Sequence, residues 1–158
     1  MFQLVIVLSV AGSASAQQSD ETLPFETIIK YLDGGPLDLA FSQTVFVVVD
    51  RQEWKRVWKL AHSRGLVRPP LPEIDFDNRI AIAVFGGFCN GSITKIMKTE
   101  EGLRIFVRDV CPGSNCATPA GTVTPVQIVE TEKVQRKIRR KGTQLTVTRE
   151  VVDCSPSS

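Results

Sequence analysis

The sequence is poor in histidine, the side chain that enzymes most often use for acid–base chemistry. It contains one histidine, His62, and it has no Gly-x-Ser-x-Gly segment and no glycine-rich phosphate loop followed by lysine. A single imidazole at the end of a predicted helix is more often a capping cation than a general base. The sequence therefore favours a protein that is not an enzyme.

An excess of charge of one sign is also missing. Nineteen Lys and Arg residues stand against 17 Asp and Glu residues, for a net charge of +2, whereas nucleic-acid-binding domains usually carry a strongly basic face. The local exception is a basic run over residues 133–141. We interpret it as a solvated edge strand, with an anionic surface or partner as the alternative. We expect no nucleic-acid partner.

No apolar run is long enough to cross a membrane, which takes about 20 residues. The uncharged segment 2–10 is instead followed by Ala14 and Ala16, which form an A-x-A cleavage site, and then by polar residues. No Lys or Arg precedes it, which departs from the usual signal-peptide pattern, and a buried N-terminal strand is the alternative. We expect a signal peptide over residues 1–16, a polar leader over 17–24, and a secreted or periplasmic protein with no membrane span.

Cysteine is sparse but even in number, and all four cysteines follow the predicted signal peptide. In an exported chain this favours two disulfides, among Cys89, Cys111, Cys116 and Cys154, with three possible connectivities. The turn-rich hexapeptide 111–116 favours a Cys111–Cys116 bond, which leaves Cys89 for Cys154. A zinc site is weakly supported because the sequence lacks a C-x-x-C pair. We expect no metal and no cofactor.

Apolar periodicity predicts a mostly β (α+β) fold, a small β-sandwich or open barrel of about seven strands with one amphipathic helix packed on it. We expect a single domain over residues 25–154, followed by a tail over 155–158. The strand candidates lie at residues 25–30, 44–49, 80–85, 92–98, 103–108, 125–129, 133–140 and 145–151.

One segment has the pattern of an amphipathic helix. Asp50 and Glu53 resemble a capping box, and the apolar stripe that follows includes Trp54 and Trp58. We therefore predict a helix over residues 51–63 whose two tryptophans face the core.

Two further patterns have alternative interpretations. Glu73, Asp75 and Asp77 could bind a metal or act as paired carboxylates, but acids in a loop before a strand more often accept backbone hydrogen bonds. Asn90-Gly91-Ser92 is a glycosylation sequon, although Asn-Gly is also a common turn dipeptide, which we prefer.

The order of several motifs resembles the PrcB C-terminal domain family, named for an accessory subunit of a bacterial surface protease complex. The resemblance covers residues 25–134. It depends on the tryptophan helix, on Leu-Pro-Glu-Ile-Asp-Phe at 71–76, on Ala-Val-Phe-Gly-Gly at 83–87 and on Thr-Pro-Val-Gln-Ile-Val at 124–129. Where the family usually has a Thr-Gly-Gly-Tyr loop, this chain has Phe-Cys-Asn-Gly-Ser at 88–92.

The resemblance implies a non-catalytic, exported module with a protein partner, such as a protease that it stabilises or helps to assemble. The alternative is a protease inhibitor of the chagasin type, acting through a glycine-bearing loop. Binding residues concentrate on loops held by a rigid sheet, so we expect contact by loop insertion or strand addition. The candidates are Gly87, Phe88, Asn90, Gly91, Ser92, Pro112, Ser114, Asn115 and Thr118.

Overall fold

A computed structural model of the chain describes residues 20–33, 35–39, 43–65, 69–87, 90–100, 102–116, 124–134 and 143–153. These residues form eight strands in two sheets with a single α-helix, and the sheets are not closed into a barrel. The prediction of a mostly β fold with one helix is confirmed, and the architecture is the sandwich rather than the barrel. Residues 1–16 and 155–158, the predicted signal peptide and tail, lie outside the described residues.

Four strands make up each sheet. Sheet A has the order β1-β5-β6-β8 and sheet B the order β2-β7-β4-β3; every pair is antiparallel except the parallel pair β6–β8. In chain order the elements are β1 (Glu21–Leu23), β2 (Phe25–Asp33), a 3-10 turn (Leu37–Leu39), β3 (Thr44–Val48), α1 (Arg51–Ala61), β4 (Arg79–Phe85), β5 (Asn90–Lys98), β6 (Leu103–Pro112), β7 (Pro125–Glu132) and β8 (Thr143–Val152).

Two predicted boundaries need correction. The predicted polar leader contains β1, which pairs with β5 and buries Leu23. The strand predicted over 133–140 does not begin as predicted, because Lys133 and Val134 follow β7 without strand conformation, and residues 135–140 lie outside the described residues. Val134 is buried, so the chain leaves β7 along the core instead of forming an exposed edge there.

Strand β4 is buried on both faces because it lies between sheet A and the helix. Its side chains alternate, so that Ile80, Ile82 and Val84 join the core between the sheets. The intervening Ala81, Ala83 and Phe85 join the core beneath α1. The small Ala81 and Ala83 share this second core with the two large tryptophans.

Helix α1 is held by its cap and by its two tryptophans. The side chain of Asp50 accepts a hydrogen bond from the Glu53 backbone N–H at 2.8 Å, as the capping pattern predicts. Trp54 and Trp58 are buried, which confirms their predicted orientation. Their indole N–H groups donate to the carbonyls of Pro72 (2.9 Å) and Pro69 (3.1 Å), which fastens residues 69–76 along the helix. We call residues 69–76 the strap.

The two long sides of the sandwich differ. On one side the chain passes from β1 in sheet A directly through Pro24 into β2 in sheet B, so the backbone itself closes that side. On the other side the edge strands are β3 and β8, and a groove of about 140 Å³ between them is lined by Val45, Val47, Thr143 and Leu145. We call this second side the open flank.

Candidate functional site

The structure does not bring together His62, Glu73 and Asp75, the described residues that could have formed a catalytic group. His62 caps α1, and its Nδ1 lies 2.9 Å from the carbonyl oxygen of Trp58, against whose ring it packs at 4.3 Å. The strap places Pro69 near Trp58 and Pro72 near Trp54, so Glu73 and Asp75 lie toward the opposite end of the helix. At about 1.5 Å per residue, the eight residues from Trp54 to His62 span roughly 12 Å.

Asp75 has a structural role that explains its position. Its carboxylate accepts hydrogen bonds from the Asn78 side chain (2.8 Å) and the Asp77 backbone N–H (3.1 Å), and its carbonyl accepts from Arg79 N–H at 2.7 Å. The Asn78 bond, with the Asp77 bond second, holds the pKa of Asp75 below its ordinary value of 3.8. The carboxylate therefore shapes the turn into β4.

The strap also borders a groove that contains acidic residues. This groove of about 490 Å³ runs between Trp54 and the strap, and both Glu73 and Asp75 line it together with Arg51. Within the described residues, however, no three His, Cys, Asp or Glu side chains come close enough to hold a metal ion. The described residues of this groove therefore offer no metal site with three such ligands.

The strand ends from which the predicted binding loops start lie at one end of the sandwich. Antiparallel pairing of β5 and β6 places Asn90 opposite Val110, and parallel pairing of β6 and β8 places Pro112 beside Val152. The backbone N–H of Gly113 then donates to the Val152 carbonyl at 2.9 Å. Three neighbouring strands therefore hold both loops, and we call this region the loop end.

Within the loop end, the candidate residues differ in accessibility. Gly87 is buried and has a positive φ of 104°, next to Gly86 at 79°, a backbone region that favours glycine. Gly91 and Ser92 are half-buried on β5, whereas Pro112, Ser114 and Asn115 are exposed. Asn90 begins β5. Phe88, Cys89, Thr118 and Cys154 lie outside the described residues.

A buried acid lies directly beneath this end, and sequence reasoning missed it. Asp109 is fully buried on β6, between Gly91 and Arg149 on the neighbouring strands. Its Oδ2 lies 3.4 Å from Arg149 Nη2, while Oδ1 has no hydrogen-bond partner among the described residues. The sequence did contain a signal, because Asp109 continues the inward-facing alternation of β6, where an apolar residue is expected.

Gln43 approaches the same point from the opposite sheet. Its Nε2 is buried without a hydrogen-bond partner in the described part of the chain. A Cβ added at Gly91 would lie 3.5 Å from this nitrogen and 3.9 Å from Asp109 Oδ1. A Cβ at residue 91 would therefore lie at ordinary van der Waals distance from both an amide donor and a carboxylate acceptor.

The fold is a β-sandwich covered on one face by a helix, and among the described residues no helix is long and apolar enough to cross a membrane. No family model, no curated protein and no solved structure matches the chain. The resemblance to the PrcB C-terminal domain family therefore stays a prediction from the motifs.

Proposed function

We propose that the chain is an exported, non-catalytic module that binds a partner protein through the loop end. The observation that supports this most is the union of the two predicted loops by the β5–β6–β8 ladder. Exposed Pro112, Ser114 and Asn115 lie on a turn fixed to β8 through the Gly113–Val152 hydrogen bond. A prearranged surface of this kind costs little conformational entropy on binding.

The partner class follows from the motif resemblance, which implies a secreted or surface protease that the module stabilises or helps to assemble. The near-neutral net charge of +2 fits a protein partner better than nucleic acid. Export is supported by the signal-peptide pattern at residues 1–16. A destination outside the cytoplasm is also where four cysteines are expected to form disulfides.

The test is recovery of a partner from the periplasm or culture supernatant on the immobilised mature chain. Phe88→Ala and Asn90→Ala should each weaken recovery of the same protein, as should Asn115→Ala. Glu100→Ala is the matched control, because this exposed residue lies in the turn after β5, at the opposite end of the sandwich. Equal recovery by all four variants would exclude the loop end as the contact surface.

The alternative function, inhibition of a protease, is favoured by one observation at the same end. Gly86 and Gly87 both have positive φ and directly precede the loop, so this is a glycine-bearing loop of the kind that the inhibitor hypothesis requires. Incubation with a panel of cysteine and serine proteases separates the two functions. Inhibition supports the alternative, whereas a longer protease half-life supports the accessory module.

A further inference from the structure

We propose that the outer edge of β3 binds an extended segment of a partner protein, which adds to sheet B as a further strand. In this segment, threonine side chains that face the sandwich alternate with acidic side chains that face α1. The inference rests on the proposed function and deepens it, because it names a second contact for the partner that binds the loop end.

Strand β3 is an edge of sheet B. It pairs with β4 from Thr44, opposite Phe85, to Val48, opposite Ala81, and no described strand lies on its other side. Residues 44–48 make no further hydrogen bond in the described part of the chain. Alternate residues of an antiparallel strand direct their N–H and C=O groups away from the partner strand. This edge therefore offers backbone donors and acceptors to another strand.

A groove lies on each face of β3. Val45 and Val47 face the sandwich and line the groove of the open flank. Phe46 faces α1 and lines a second groove of about 240 Å³ with residues of the helix. We call this second groove the helix groove. The side chains of an added strand alternate in the same way, so successive residues would enter the two grooves in turn, as in other cases of strand addition to a sheet edge.

The groove of the open flank favours a small side chain that carries a hydroxyl. Its lining is apolar apart from Thr143, whose Oγ1 is buried and has no hydrogen-bond partner among the described residues. Its volume of about 140 Å³ limits the size of the side chain. Threonine has a methyl group for the contacts with Val45 and Val47, and its hydroxyl can donate to or accept from Thr143 Oγ1. We therefore expect threonine at the inward-facing positions.

The helix groove favours an acidic side chain. Phe46, Val57 and Leu60 supply its apolar lining, and Glu53 and Arg56 its charges. Glu53 already has an interaction partner, whereas the exposed Arg56 has no ion pair in the described structure. A glutamate on the added strand can pack its methylene groups on the apolar lining and pair its carboxylate with Arg56. Charge complementarity therefore selects glutamate over lysine at the outward-facing positions.

The edge of β3 also adjoins the loop end. Thr44, the first residue of β3, lies opposite Phe85 at the end of β4. The side chain of the preceding Gln43 comes within 3.5 Å of a Cβ placed at Gly87 or at Gly91. A partner segment that leaves the loop end can thus continue along β3 without a break.

The affinity for an isolated segment should be low. Strand β3 has five residues, which limits the number of backbone hydrogen bonds. We therefore expect a dissociation constant of about 0.1–5 mM for a free peptide. A whole partner that also contacts the loop end would bind more tightly, because the second contact forms at a high effective concentration.

NMR titration of the isotope-labelled mature chain tests the site. The probe is a capped peptide of about seven residues in which threonine alternates with glutamate, long enough to cover β3 at about 3.3 Å per residue. Amide signals of β3, Thr143 and Leu145 should shift and saturate. A peptide with lysine in place of glutamate should bind at least about threefold more weakly. Absence of saturable shifts in β3 with both peptides, or saturable shifts confined to other strands, would overturn the proposal.

Charge reversal tests the outward-facing positions. Arg56→Glu should reverse the preference, so that the lysine peptide binds more tightly than the glutamate peptide. Lys55→Glu is the matched control, because it changes the net charge equally while the exposed Lys55 lines neither groove. An unchanged preference in Arg56→Glu, or the same reversal in Lys55→Glu, would count against recognition of the acidic side chain by Arg56.

Recovery of the partner separates this site from the loop end. Arg56→Glu should lower recovery about threefold for the same protein that Asn90→Ala affects. Recovery that depends on Asn90 and not on Arg56 would overturn strand addition and leave the loop end in place. Recovery that depends on Arg56 and not on Asn90, together with peptide binding at β3, would support strand addition and argue against the loop end.

Discussion

Gln127 in sheet B accepts a hydrogen bond from the backbone N–H of Ile93 in sheet A, across the core of the sandwich. The bond lies where β5 carries one extra residue, since its register against β6 shifts between Ile93 and Lys95. Both residues are buried. A polar side chain of one sheet thus satisfies a backbone donor at the bulge of the other sheet.

Gln127→Met should lower the free energy of unfolding by about 1–3 kcal/mol, because a similar apolar side chain leaves the Ile93 N–H buried without an acceptor. Urea denaturation of the two chains measures the difference. Gln52→Met on the exposed face of α1 is the control and should change stability by about 0.5 kcal/mol or less. A loss at Gln127 no larger than the control would show that the inter-sheet bond contributes nothing.

Ala83→Leu should destabilise the fold by about 1–3 kcal/mol through overpacking, because Ala83 faces the tryptophan-rich core under α1. Thermal unfolding monitored by tryptophan fluorescence reports both stability and the environment of Trp54 and Trp58. Ile82→Leu, on the other face of β4, is the matched control and should cost less because it keeps side-chain volume. A stable Ala83→Leu variant with unchanged fluorescence would contradict the packing.

The lowered pKa of Asp75 predicts that the stability of the fold decreases in acid. Hydrogen bonds from Asn78 and Asp77 lower its folded pKa, so its contribution to stability is present above the unfolded pKa and is lost as pH falls through the folded pKa. Asp75→Asn should therefore be less stable than the parent at pH 7, and the difference should shrink in acid. NMR titration of the carboxyl gives the pKa, and Asp77→Asn controls for the lost charge. A pKa at or above 3.8 would contradict the hydrogen bonds.

Reduction should lower the melting temperature if the predicted disulfides form, since a native bridge typically contributes about 2–4 kcal/mol. An unchanged melting curve in reductant would indicate that the cysteines are free thiols.

The disulfide pairing can be mapped by mass spectrometry of peptides from a non-reducing digest. The turn-rich hexapeptide favours Cys116 as the partner of Cys111. The pairing of Asn90 with Val110 instead favours Cys89, because Cys89 precedes Asn90 and Cys111 follows Val110 in the chain. Recovery of a Cys111–Cys116 peptide would contradict the register argument.

Much of the fold was predictable from local patterns. The apolar run at residues 80–85 predicts a buried strand, and both faces of β4 are indeed covered. The Asp50 cap and the tryptophan stripe predict α1. The helix ends at Ala61 rather than at residue 63, because His62 already serves as its C-terminal cap. Such terminal differences arise because the last turn depends on tertiary contacts, here on the packing of His62 against Trp58.

The remaining elements depend on partners distant in sequence. Strand β1 has three residues and no alternation long enough to detect, and it forms because β5 offers an edge that buries Leu23. The extension of β6 from residue 108 to Pro112 similarly depends on pairing with β5 and β8. From the sequence, the candidate binding site could be predicted only as two separate loops. Asp109 becomes a neighbour of Gly91 through the pairing of β5 with β6. Gln43 becomes one through the packing of one sheet on the other, and no local pattern encodes either contact.

The unequal protection of the four edges limits the size of any assembly. A molecule with competent strands on both sides could recruit neighbours without end and grow into a fibril. Here the chain crossing at Pro24 closes one side, and β3 on the open flank is only five residues long. Growth of the sheets from both sides at once is therefore disfavoured.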